Sequence, residues 1–152
     1  MTPGPISQKV VAAKSEIVRE MLAGIRTLPL DSERGFRADP RMVAAGESYL
    51  RRAIEALIDL GRHLLARGFG KPVPEYAEVA VELGRRGVLD PAVAERLRVM
   101  ARYRNRLVHF YDEVTPAELY RILSIEIVDI EGALAALLSW MSQHPEQVDT
   151  SL

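Results

Sequence analysis

Three helix starts are written into this chain as residue pairs, and they constrain its fold more than any other feature. The pairs are Asp39-Pro40, Asp90-Pro91 and Thr115-Pro116. In each, the first side chain can accept hydrogen bonds from the free amides of a first helical turn. The proline then takes the first helical position, where its missing N–H is not needed. Thr115 followed by Glu118 also fits a capping box. Between these starts apolar residues recur at helical spacing, and no alternating strand pattern competes.

The spacing predicts five helices in an all-α, up-and-down bundle. The first runs from about Ser7 to Arg26, with Val10, Val11, Ile17, Val18, Met21, Leu22 and Ile25 as its apolar set. Pro29 to Asp39 reads as a polar loop. The second helix runs from Pro40 to about Arg67 and is broken by Gly68 and Gly70. A short third helix spans about Pro74 to Arg86 and stops at Gly87. The fourth runs from Pro91 to about Tyr111. The fifth runs from Pro116 to about Ser142, with Leu119, Leu123, Ile127, Ile130, Leu134, Leu137 and Met141 as its stripe. The second helix has a wide apolar arc; its polar remainder, Ser48, Arg52, Glu55, Asp59 and Arg62, reads as a solvated stripe. A chain of 152 residues has room for one core, so a single domain with its core at about residues 7–142 is expected. The tail after Gln143 is expected to fray.

Several classes of chemistry are excluded or unsupported. With no cysteine there is neither a disulfide nor a cysteine-ligated zinc. There is no His-Glu-x-x-His, no glycine-rich phosphate loop and no Ser-His-Asp grouping, so no metal and no cofactor are expected. The opening residues carry no apolar signal core and no run is long enough to cross a bilayer, which predicts a cytoplasmic protein. A net charge of −1 argues against a bulk nucleic-acid binder. Locally, however, Arg96, Arg98, Arg102, Arg104 and Arg106 crowd one short stretch free of acids, with Asp112, Glu113 and Glu118 just beyond. Such a run can attract phosphate on a near-neutral protein.

On a helical wheel this stretch divides into two faces. Leu97, Met100, Ala101, Val108 and Tyr111 fall on one, with Leu107 at its edge; Arg98, Arg102, Asn105, Arg106 and His109 fall on the other. Arg104 lands in the middle of the apolar side. A guanidinium there must find a carboxylate, a carbonyl or a phosphate, or snorkel to water. Glu55 and Asp59 of the second helix are both candidate partners. The five-residue offset separates Arg104 from His109 by about 140° around a straight helix. The two can cooperate if the arginine wraps around the helix, if the helix loosens before Asp112, or if two subunits share the site. Asn105 and His109 lie one turn apart on a common face. Taken singly, each residue has a plainer role: His109 on the surface, Arg104 in an ion pair, Tyr111 in the core.

Arg104-Asn-Arg-Leu-Val-His109-Phe-Tyr111, at the end of the fourth helix, resembles the Arg-x4-His-x-Tyr motif of HEPN domains. Upstream, the stretch from Glu47 to His63 (ESYLRRAIEALIDLGRH) is similar to the second helix of their HepT-like branch. The stretch from Tyr76 to Gly84 (YAEVAVELG), then Val88-Leu-Asp-Pro91, and Asp129 and Glu131 late in the chain, follow in the family's order. The resemblance covers about residues 10–141. It implies a metal-independent ribonuclease acting as a toxin, paired with a minimal nucleotidyltransferase antitoxin. It further implies a homodimer whose motifs meet in a shared cleft. Arg104 and His109 match the catalytic pair, Asn105 its polar neighbour, and Tyr111 the tyrosine onto which the antitoxin transfers AMP. Phe110 departs from the pattern, which is often acidic there.

Two functional readings follow. In the first, His109 takes the proton of a ribose 2′-OH of an RNA substrate and Arg104 stabilises the phosphorane charge, while Arg98, Arg102 and Arg106 hold the backbone. In the second, the same arginine-lined cleft holds a nucleotide or RNA end without cutting, and Tyr111 matters as a modification acceptor. A helical scaffold with no site would leave Arg104 unexplained.

Overall fold

The computed structural model describes residues 4–109 and 113–151. Among them the chain begins with a two-residue strand, β1 (Ile6–Ser7), and forms seven α-helices. These are α1 (Gln8–Arg26), α2 (Glu33–Arg37), α3 (Pro40–Gly68), α4 (Tyr76–Arg85), α5 (Pro91–His109), α6 (Pro116–Arg121) and α7 (Val128–Gln143). A π-helical segment, Ile122–Glu126, joins α6 to α7, and a second short strand, β2 (Val148–Asp149), pairs in parallel with β1.

The proline-marked starts are all used. Asp39 accepts from the Arg41 amide, Asp90 from Val93 and Thr115 from Glu118. The capping box at Thr115 is made on one side only, because Arg106 engages the Glu118 carboxylate. Ser7 caps α1 by accepting from Val10. The turn after α4 closes at Gly87, whose φ of 73° suits a residue without Cβ.

α3 runs through the centre, with Leu50, Ile54, Leu57, Ile58, Leu60, Leu64 and Leu65 fully buried. α1 lies antiparallel to it: Lys14 reaches Asp59, while Gly24 abuts the Tyr49 ring. The C-terminal segment runs parallel to α3, with Leu123 against Gly46 and Trp140 against Phe69. α5 is antiparallel to that segment, through Arg106 with Glu118, Tyr103 with Glu126 and Arg96 with Asp129. α5 therefore also runs antiparallel to α3, and its C-terminal turn lies beside the N-terminal half of α3.

Departures from the expected outline have local causes. The loop expected at Pro29–Asp39 contains α2, because Phe36 is drawn into the core against Tyr120 with ring centroids 6.0 Å apart. The fifth helix is broken by the π segment, yet all seven residues of its expected stripe are buried. Ile125 (65% exposed) and Val128 (61%) face outward there. The α3 stripe expected in solvent is mostly covered: Arg52 is exposed, but Glu55, Asp59 and Arg62 all pair with neighbours. Nor does the tail simply fray. It makes a 3-10 turn at Pro145–Gln147 and then β2.

The tail docks on an N-terminal segment that is itself latched to α3. The Gly4 amide donates to the Arg67 carbonyl, the Arg67 Nε to the Pro5 carbonyl, and the Ser7 amide to His63 Nε2 at 2.9 Å. Burial, and then the nearby Arg67 charge, hold the His63 imidazole below its ordinary pKa of 6.5. The folded state thus binds this proton less readily than the unfolded chain. The latch contributes its full stability above about pH 6.5 and loses it as pH falls through the lower folded-state value. Thermal unfolding followed by circular dichroism should show a Tm that drops from pH 7.5 to 5.5. His63→Gln should flatten that dependence. An equal drop in the variant would remove His63 as its source.

Candidate functional site

Arg104 answers the problem its position poses. Its side chain is only 15% exposed, on the face of α5 that meets α3. Nε and Nη2 both donate to Glu55 Oε2, at 3.0 and 2.9 Å, and Nη1 donates to Asn105 Oδ1 at 3.2 Å. The guanidinium carbon stands 4.1 Å from the centroid of the Tyr76 ring. Of the two carboxylates weighed, Glu55 is the partner; Asp59, one turn on, pairs with Lys14 and Arg62. Glu55 is itself 22% exposed and receives Arg51 on its other oxygen, at 2.7 Å. One carboxylate between two guanidinium groups leaves the cluster net positive. A guanidinium has five N–H donors; described residues engage three of Arg104's, and the other two meet no described acceptor.

His109 is the last described residue of α5 and is exposed. α5 keeps α-helical geometry to that point; the stretch from there to Asp112, where loosening is one of the three routes, lies outside the described residues. Arg104 does not wrap around the helix, since its polar contacts go to Glu55 and Asn105. Asn105 thereby orients the arginine. Tyr111, together with Phe110 and Asp112, lies outside the described residues. Val108, expected on the apolar face, is 38% exposed. Among the described residues nothing fully covers Val108.

The other arginines are less available than their density suggests. Arg98 forks onto Glu95 at 2.8 and 2.6 Å, and Arg96 pairs with Asp129. Arg106 makes a two-pronged bond to Glu118 at 2.8 and 2.7 Å and also donates to the Glu113 carbonyl. The Arg106 hydrogen bonds hold the Glu118 carboxyl below its ordinary pKa, against a smaller opposing effect of burial. Arg121 joins Glu118 to Glu126, which accepts from the Tyr103 hydroxyl, and burial pushes that phenol's pKa up. Arg102 is exposed and makes no ion pair with a described residue. The acids that neutralise the run come from Glu95, α6 and α7. Among the described residues no group of three or more His, Asp or Glu side chains converges to hold a metal ion.

Sequence reasoning passed over Tyr76, Arg62 and Arg51. Tyr76 opens α4 after Pro74-Glu75 and reads as an ordinary half-apolar helix residue. Only the packing of α4 onto α3 brings it to Arg104.

This arrangement sits in a recognisable family. Residues 18–137 match the HepT-like family, described as Ribonuclease HepT-like. The chain belongs to that family. It is 32% identical over 104 residues to the tRNA nuclease HepT of Aphanizomenon flos-aquae (strain 2012/KM1/D3), covering 68% of this chain and 70% of the relative. The fold is also that of a tri-AMPylated Shewanella oneidensis HEPN toxin solved in complex with its MNT antitoxin. The TM-score is 0.78 at 18% identity, over 86% of this chain and 97% of that one. YutE from Bacillus subtilis, a cytosolic protein of unknown function, aligns with a TM-score of 0.73 at 19% identity, over 91% and 93% of the two chains. These likenesses bear out the all-α, HEPN-type reading of the sequence.

The Arg104–Glu55 pair is testable as a packing element. Glu55→Ala strands a guanidinium on an apolar face and should cost about 2 kcal/mol or more in urea unfolding. Glu95→Ala, which breaks a solvent-exposed pair with Arg98, should leave the midpoint nearly unchanged. Equal effects would mean that Arg104 reaches water freely.

Proposed function

We propose that this protein is a metal-independent endoribonuclease, the toxin of a toxin–antitoxin pair, with Arg104 and His109 as its catalytic residues. One observation carries the reading: a guanidinium braced by Glu55 has two N–H groups that no described residue engages, five residues from an exposed imidazole, in a chain of the HepT-like family. The imidazole of His109 acts as general base and takes the proton of a ribose 2′-OH. The 2′-oxygen attacks the adjacent phosphorus, the bond to the 5′-oxygen breaks, and Arg104 binds the non-bridging oxygens as charge builds. Products are a 2′,3′-cyclic phosphate and a 5′-hydroxyl. Arg102 binds the backbone. Arg106 holds the end of α5 in place through Glu118 and does not reach for phosphate.

A second copy of the chain completes the site. The two catalytic side chains leave α5 in directions about 140° apart, so each subunit presents its histidine towards its partner's arginine. The second His109 protonates the leaving 5′-oxygen. The exposed apolar Val108, one residue before His109, supports such a homodimer. The antitoxin is a minimal nucleotidyltransferase that places AMP on Tyr111, two residues beyond His109. That anion would block the cleft by occupancy and charge. The similar Shewanella toxin carries three AMP groups in its antitoxin complex.

The charge compensation at Arg96, Arg98 and Arg106 favours a second reading, a non-catalytic module that grips a short nucleotide or RNA end. Incubating the purified chain alone with tRNA and with DNA, in chelator, separates the two. The first reading expects RNA cleavage only, and a loss of about 100-fold or more in His109→Ala. Undiminished cleavage in that variant would remove His109 from the mechanism, and sedimentation as a monomer at active concentrations would remove the shared site.

Intact mass after incubation with ATP, magnesium and the partner nucleotidyltransferase tests the switch. A gain of AMP units that disappears in Tyr111→Phe is expected. A gain that persists in that variant would move the acceptor elsewhere.

A further inference from the structure

We infer that Tyr76 is a positioning residue for Arg104, acting through the face of its ring and not through its hydroxyl. The inference rests on the reading of Arg104 as the phosphate-binding cation. Glu55 and Asn105, whose Oδ1 accepts from Nη1 at 3.2 Å, hold the edge of this guanidinium and leave its face without a contact. Both bonds from Arg104 to Glu55 end on a single oxygen, Oε2, and one atom is a pivot about which a planar group can tilt. The Tyr76 ring, 4.1 Å from the guanidinium carbon, supplies the surface that this pivot lacks. A ring face attracts a cation without consuming any of its N–H donors. Arg104 thus keeps the two donors that no described residue engages while losing its freedom to tilt.

Tyr76 is placed firmly enough for this role. Arg62 of α3 also lies over the ring, 4.9 Å from its centroid. Arg62 is fixed in turn by Asp59 at 2.7 Å and by the carbonyls of Val73 and Pro74 at 3.0 and 2.8 Å. It ties the segment entering α4 to α3, two residues before Tyr76. Behind it α4 lies close on α3 at Gly61, where a Cβ would come within 2.8 Å of Leu83 Cδ1. The Tyr76 hydroxyl makes no hydrogen bond with a described residue. Two cations thus share this ring. Its consequence is specific: Tyr76 should affect the rate of the bound complex more than the affinity for RNA.

The test compares wild type, Tyr76→Phe and Tyr76→Leu, with Tyr76→Met as a substitute should the leucine variant not fold. Two readouts are taken: cleavage of tRNA as kcat and KM, and the arginine Nε–H signals in 15N–1H spectra, with Arg104 assigned by its absence in Arg104→Lys. Tyr76→Leu should lose about 10- to 100-fold in kcat with little change in KM. Its Arg104 signal should lose the ring-induced shift, while Tyr76→Phe keeps both rate and shift. A leucine variant that cleaves like wild type overturns the inference. So does a phenylalanine variant as impaired as leucine, because the hydroxyl would then be the working group. If wild type cleaves no RNA, the ribonuclease reading falls and the spectra alone decide the positioning. An Arg104 signal unchanged by Tyr76→Leu overturns it; a shift lost in leucine and kept in phenylalanine upholds it.

Discussion

A guanidinium that cannot give up its proton sits on the apolar face of α5, and the packing around it answers to that charge. An arginine keeps its charge where a buried lysine or histidine can lose it. α5 can lie against α3 only where α3 offers a carboxylate, which sets the level at which the two helices meet. Glu55 is that carboxylate. The antiparallel course of the helices then carries His109 outward at the end of α5, and α4 lays the Tyr76 ring over the guanidinium. A hydrophobic residue at position 104 would pack with fewer demands. The buried cation is costly for folding, and its remaining donors are what a phosphate could use.

The charges around this site are arranged for geometry more than for reach. A run of arginines on a nearly neutral protein suggests a broad electrostatic footprint, yet acids from Glu95, α6 and α7 neutralise most of it. Of these pairs, Arg106 with Glu118 fastens the last described turn of α5 to α6, and Arg96 with Asp129 fastens its first half to α7. Long-range attraction for nucleic acid is correspondingly modest. Recognition of RNA by such a surface would depend on the shape and precise donors of a small cleft, and would weaken steeply with salt only through the few free cations.

Much of the architecture is legible in the sequence because it is local. Asp39, Asp90 and Thr115 start their helices through bonds to residues two or three positions away. The stripe from Leu119 to Met141 is buried because apolar side chains at helical spacing have one face to hide. The places where the reading failed are those where one residue acts at long range. Phe36 makes a helix out of an expected loop by filling a hole in the core. The tail is ordered because β1 is already latched to α3 through residues 56 and more positions away. A single aromatic or a dipeptide pairing leaves no periodic trace.

The candidate site divides in the same way. The sequence by itself determined that a cation would lie on the wrong face of an apolar helix, five residues from an imidazole, and that α3 carried carboxylates able to meet it. Those statements follow from helical periodicity and from the fixed charge of arginine. Only the tertiary structure decided that Glu55 and not Asp59 is the partner, that Arg106 belongs to Glu118, and that Tyr76 closes over Arg104. Each of these contacts joins separate helices, 12 to 49 positions apart for the ion pairs, and the choice between near-equivalent partners depends on how the helices cross. One turn of α3 separates Glu55 from Asp59, and only packed side chains distinguish them.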